Sequence, residues 1–104
     1  MIKKRLAQID RRIARIKAEL ALIGDMRPGS LTKQYKNPAA GTGPYYQISY
    51  TLDMKSRTEY IRREFVGDVR RQISNYKRFK KLSVEWVALS IERSKLSMKL
   101  KQSE

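Results

Sequence analysis

Apolar residues at Ile2, Leu6, Ile9, Ile13, Ile16, Leu20 and Ile23 alternate steps of four and three without a miss, which is the heptad seam of a coiled-coil helix. Gly24 is placed to end that helix, and Pro28 with Gly29 prevents its continuation. The spacing therefore predicts a first element over residues 1–24.

From residue 25 to 62 the helical period is lost and alternation replaces it. Tyr46, Ile48, Tyr50 and Leu52 point one way and Tyr45, Gln47, Ser49 and Thr51 the other, the pattern of a half-buried strand over 45–52. Residues 53–56 read as a hairpin turn and 57–61 as the returning strand, with 31–36 a less regular third candidate. The Asn, Pro and Gly of residues 37–44 predict a flexible loop between them.

The last region, 63–104, is helical again, with no Pro and only Gly67 as an internal weak point. About 38 helical residues make a rod of roughly 57 Å. Val66, Val69, Ile73, Tyr76 and Phe79 form one face, and the seam continues through Leu82, Trp86, Leu89, Arg93, Leu96 and Leu100. A second stripe, Val84, Val87, Ile91 and Met98, arises only in the later half, and a helix apolar on two faces needs two neighbours. The first helix, roughly 33 Å long, covers only part of this rod. The expectation is an antiparallel intramolecular pair, with the leftover surface buried in a homodimer through the C-terminal half of the last helix. The fold class predicted is α+β, mostly α: a long N-terminal helix, a short β-hairpin or three-stranded antiparallel sheet, and a long C-terminal helix in a helical hairpin.

The chain has 104 residues, a length that predicts one domain. Its 24 Lys+Arg stand against 10 Asp+Glu, and a net charge of +14 at this size repels itself and calls for an anionic partner. Nucleic acid comes first among such partners. With no His and no Cys there is no imidazole base, no thiolate nucleophile, no disulfide and none of the usual zinc sites. No catalytic residue, cofactor or metal site is expected, and the chain reads as a non-enzyme. The longest apolar run, residues 20–23, is far too short to span a bilayer, and the opening residues lack the apolar stretch of a secretory signal. A soluble, cytoplasmic protein is the expectation.

Along the last helix the charge acquires a pattern. Cations recur in pairs at Arg62-Arg63, Arg70-Arg71, Lys77-Arg78 and Lys80-Lys81, opposed between 62 and 81 only by Glu64 and Asp68. At roughly 100° per residue, Arg63, Arg70, Lys77 and Lys81 fall close to one line, while Val66, Val69, Ile73 and Tyr76 face away. A helix with this stripe suits a phosphate backbone, whose neutralisation releases counterions. The candidate nucleic-acid-binding residues are Arg62, Arg63, Arg70, Arg71, Lys77, Arg78 and Lys81, with Lys33, Lys36, Lys55 and Arg57 from the hairpin region. The tyrosines at 35, 45, 46, 50 and 60 could stack bases, but alternate tyrosines on a small sheet more often pack, and Tyr45 is the one expected to be exposed. Glu64 and Asp68 are expected to be salt-bridged by neighbouring arginines rather than to hold a metal. The Gly-containing loop lacks the spaced Gly and Lys-Ser/Thr of a phosphate-binding P-loop.

Residues 29–79 carry a further signal. Gly29-Ser30-Leu31, the basic-Tyr segment at 33–36, Gly43-Pro44-Tyr45-Tyr46 with the strand after it, and Val69-Arg70-Arg71 leading to Asn75-Tyr76-Lys77-Arg78-Phe79 resemble a family of short prokaryotic proteins and domains of unknown function, often seen among mobile-element genes. Relatives usually carry several cysteines where residues 37–42 stand here, so no thiol or metal role of that loop operates in this chain. The resemblance implies a helix, hairpin, helix unit and a mobile-element setting; it transfers no activity. A likeness to the three-strands-then-helix DNA-binding modules of integrases, and to helix-sheet-helix RNA binders, rests on element order alone.

The leading reading is a small basic protein that binds duplex DNA through its phosphates. The alternatives are a coiled-coil structural or adaptor protein with an acidic protein partner, and an RNA-binding protein, with DNA favoured over RNA.

Overall fold

A computed structural model describes residues 1–103. In chain order it contains α1 (Ile2–Ala21), β1 (Ser30–Asn37), β2 (Thr42–Leu52), β3 (Lys55–Ile61), a 3₁₀ turn (Arg63–Phe65) and α2 (Val66–Ser103). The chain divides into two compact units, one of residues 24–77 and one of residues 1–23 with 78 onward, and α2 contributes to both.

In the helical unit the heptad seam of α1 is spent as its spacing requires: Ile9 and Ile16 are completely buried, and Leu82 of α2 nearly so. Burying each of these side chains is worth about 1.5–3 kcal/mol. Three ion pairs fix the antiparallel register of α1 on the second part of α2: Arg5 with Glu92 at 2.6 Å, Arg12 with Glu85 at 2.5 Å, and Asp10 with Arg93 at 2.6 Å. The first two are two-pronged, each guanidinium donating from Nε and Nη2 to both carboxylate oxygens. Arg93, an interruption in the apolar seam, is thus explained by Asp10 opposite. The second stripe stays open, with Val84, Val87, Ile91 and Met98 all more than half exposed. Helix α1 ends at Ala21, ahead of Gly24; its last carbonyls, of Glu19 and Leu20, accept from the Leu22 and Ile23 N–H groups.

In the other unit three antiparallel strands lie in the order β1-β2-β3. Leu31 pairs with Ile48 and Tyr46 with Ile61, so these four share one face. The first part of α2 covers that face: Ile48, Ile61, Val69 and Ile73 form the core, with Leu31, Tyr46 and Val66 packed against it. The segment before β1 is tied to α2 by Arg27 N–H donating to the Gln72 carbonyl at 3.2 Å, and by Asn75 Nδ2 donating to the Asp25 carbonyl at 2.9 Å.

Three expectations are corrected here. Residues 37–44 are not a flexible loop. Thr42 to Pro44 belong to β2, Pro44 opposite Tyr35, and the connection is a tight turn closed by Gly41 N–H to the Pro38 carbonyl and Ala40 N–H to Asn37 Oδ1. Gly41 and Gly43, at φ +65° and +69°, supply the left-handed conformations that the turn needs, so glycines suggestive of a loop instead build a hairpin. The second correction concerns the start of the last helix. Arg63 lies in a 3₁₀ turn closed by Phe65 N–H to the Arg62 carbonyl, so the α-helical projection fails for it, and Arg62 before it is extended. The β2–β3 turn is shorter than 53–56: Asp53 and Met54, both at positive φ, form the two-residue connection that matches strand twist.

Candidate nucleic-acid interface

All eleven predicted binding residues are exposed, and the fold distributes them among several surroundings. Arg70, Ser74 and Lys77 follow one line of α2 at spacings of four and three, the helix repeat that stacks side chains on one face. They line a groove of about 480 Å³ whose other wall is Gly29, Ser30 and Leu31 at the edge strand β1, with Ile73 as its floor. Among the described residues neither Arg70 nor Lys77 has a carboxylate within ion-pair distance. Two free cations, two hydroxyls and an open strand edge make an anion-accepting groove.

Gly29 holds the sheet wall of that groove close against the core. Its φ is +140°, and a Cβ there would lie 2.7 Å from Ile48 Cγ1 and 3.0 Å from the Ser49 carbonyl oxygen. Only glycine brings the chain this close to the core before β1 begins.

Arg71 differs from its neighbour. It donates to Asp68 one turn earlier and lines a separate depression with Asp25, Asp68 and Asn75, so carboxylates balance its charge. Arg62 lies 3.9 Å from Glu64. Both predicted carboxylates are therefore salt-bridged, Glu64 by Arg62 and Asp68 by Arg71, and no group of three metal-capable side chains occurs among the described residues. Arg78 and Lys81 fall in the helical unit, where Lys81 lies near enough to Glu85 to help Arg12 hold that carboxyl below its ordinary range.

Arg63, displaced from the helical line, joins Lys33, Tyr45, Tyr46 and Tyr60 around a smaller cleft of about 160 Å³. Lys33 Nζ also rests 5.6 Å from the Tyr35 ring. Lys36 lies on β1 with its Cβ 2.9 Å from where a side chain on Gly43 would start. Lys55 and Arg57 are on β3, opposite Leu52 and Tyr50.

A charge cluster that sequence pattern did not reveal joins three segments. Tyr50 OH donates to Glu59 Oε1 at 2.6 Å, Arg27 Nη2 donates to Glu59 Oε2 at 3.1 Å, and the Arg27 guanidinium lies 5.3 Å from the Tyr50 ring. The hydrogen bond from Tyr50, then that from Arg27, hold the Glu59 carboxyl below its usual range, and Glu59 in turn pushes the Tyr50 phenol up. This cluster consumes Arg27 and Tyr50 structurally. Tyr46 likewise packs on the core. Tyr60, at 66% exposure, is the open tyrosine rather than the half-buried Tyr45. The signal for it was available: Ile61 must face α2, so its neighbour Tyr60 must face away.

A family model described as a domain of unknown function, DUF6788, matches residues 2–71. The chain belongs to the DUF6788 family. No curated protein and no solved structure matches it. The part of this DUF6788 protein that the family model covers takes in α1, all three strands and the first turn of α2, so Gly29, Ser30 and Arg70 of the groove lie inside it and Ser74 and Lys77 beyond it.

Proposed function

We propose that this DUF6788 protein is a non-enzymatic, cytoplasmic nucleic-acid-binding protein that holds duplex DNA by its phosphates, in the mobile-element setting that its resemblance implies. The observation that carries the reading is the pair Arg70 and Lys77, two turns apart, aligned with Ser74, unneutralised, and facing the Ser30 edge of the sheet across an open groove. Within residues 24–77 carboxylates engage Arg27, Arg62 and Arg71, which leaves Arg70 and Lys77 among the cations with no ion pair. Contacts of this kind read backbone and not bases, so affinity is expected to fall steeply with salt and to vary little with sequence.

The exposed stripe Val84, Val87, Ile91 and Met98 supports self-association as part of the same proposal, a homodimer through the second part of α2. The stripe also favours the adaptor reading, in which it engages an acidic protein. Co-purification of a stoichiometric protein partner would mark the adaptor reading, and competition binding separates duplex DNA from other nucleic acids. Duplex DNA, single-stranded DNA and structured RNA are titrated against the full chain at low and high salt. Salt-sensitive binding led by duplex supports the proposal; preference for structured RNA transfers the groove to RNA; absence of salt-sensitive binding to all three overturns it.

A further inference from the structure

The sheet has a second face, the one α2 does not cover. By the register, Tyr45, Gln47, Ser49 and Thr51 of β2 lie on it with Thr58 and Tyr60 of β3, and with Thr32 and Gln34 of β1. No carboxylate stands at these positions. The rings of Tyr45 and Tyr60 are 6.4 Å apart and tilted by 37°, and Tyr60 keeps two thirds of its surface in water. At the end of this pair opens a cleft lined by Pro44 and Arg63, which Lys33, Tyr46 and Ile61 reach from the α2-covered face.

We infer that this face is a stacking platform for the unpaired bases of a nucleic acid, with Tyr45 and Tyr60 taking the base faces and Arg63 an adjoining phosphate. The inference rests on the nucleic-acid reading and deepens it: the ligand is a duplex that carries a single-stranded segment. Diagonal cross-strand ring pairs also stabilise a sheet. Here one ring is open, its neighbours are uncharged amides and hydroxyls able to donate to and accept from base edges, and Arg63, which no carboxylate engages among the described residues, lines the cleft beside it. Stacked aromatics beside cations are the means by which proteins hold single strands without reading sequence.

The test uses the full chain and three probes: a blunt duplex, the same duplex with a thymidine tail, and the tail alone, with 2-aminopurine in the tail to report stacking. The tailed duplex is expected to bind more tightly than the blunt one and to quench the 2-aminopurine. In the Tyr45→Ala/Tyr60→Ala variant the tail's contribution should fall roughly ten-fold or more, while blunt-duplex affinity and its salt dependence stay unchanged. Tyr60→Phe, which retains the ring and the fold, should keep the tail's contribution. Equal affinity for tailed and blunt duplex, or a Phe variant as weak as the Ala variant, overturns the platform. If Arg70→Gln/Lys77→Gln still weakens blunt-duplex binding in that case, the phosphate reading stands without it; if no probe binds, both fall together.

Discussion

Replacing Gly29 by alanine tests how tightly the groove wall is fixed to the core. The substitution meets two costs. At φ +140° an L side chain is strained, a penalty of about 1–3 kcal/mol. The new Cβ would also stand 2.7 and 2.9 Å from Ile48 Cγ1 and Cδ1, where carbon contacts relax only near about 3.5–4.0 Å. Ile48 is completely buried and the Ser49 carbonyl blocks the third side at 3.0 Å, so the clash must be absorbed by overpacking, typically about 1–3 kcal/mol. The sum, about 2–6 kcal/mol, is a large part of the stability of a small protein. Two glycines calibrate the result. Gly41 has φ +65° and nothing within 4 Å of a built Cβ, so Gly41→Ala should cost only about 1–2 kcal/mol. Gly67, in the first turn of α2 with open space around it, should gain about 0.5–1 kcal/mol on the same change. Urea unfolding followed by circular dichroism ranks the three. Should Gly29→Ala prove no costlier than Gly41→Ala, the close approach to Ile48 does not exist.

Other expectations follow from the same geometry. Ile16→Ala removes a completely buried seam residue of α1 and should cost about 2–5 kcal/mol, read as a lower urea midpoint. Acid should loosen the helical unit: Arg93, Arg12 and Arg5 hold Asp10, Glu85 and Glu92 below their ordinary values, so the stability these pairs contribute is complete above about pH 5 and is lost as pH falls through the depressed folded-state values. Thermal unfolding between pH 7 and 3 checks this, and Arg12→Gln should flatten the profile rather than move it upward. Ile91→Glu places a charge in the exposed stripe and should convert a dimer to a monomer in light scattering without loss of helicity; a wild-type protein already monomeric at high concentration would remove dimerisation from the proposal.

The two helices were legible in the sequence because a heptad seam is a long, redundant signal: losing one apolar position of seven would not have hidden α1. The three strands were legible for the same reason where alternation is strict, as at 45–52, and less so at β1, where Lys33, Gln34, Tyr35 and Lys36 leave only Leu31 half-buried on an edge strand. Gly41, Gly43 and Pro44 misled because composition reports permissive backbone and not its use; a hairpin and a loop ask for the same residues. The candidate site was legible only in part. The repeat that sets Arg70, Ser74 and Lys77 in line is local to one helix, but the 3₁₀ turn that takes Arg63 off that line is not encoded in any period. Arg71 resembled Arg70 until Asp68 was seen to hold it. The cleft of Lys33, Tyr60 and Arg63 and the cluster of Arg27, Tyr50 and Glu59 assemble residues distant in sequence, through strand register, which one sequence leaves undetermined.

The difference between Arg70 and Arg71 makes the decisive measurement possible. Affinity for a blunt duplex is measured across a range of salt for the wild type, for Arg70→Gln/Lys77→Gln and for Arg71→Gln. Two lost phosphate contacts should flatten the slope of log K against log salt by about 1.8 in the double variant, equally for unrelated sequences. Arg71→Gln, whose charge Asp68 already balances, should leave the slope nearly as it was. A double variant with the wild-type slope, or an Arg71 variant that loses as much, would contradict the assignment of the Arg70 and Lys77 groove as the phosphate-binding surface.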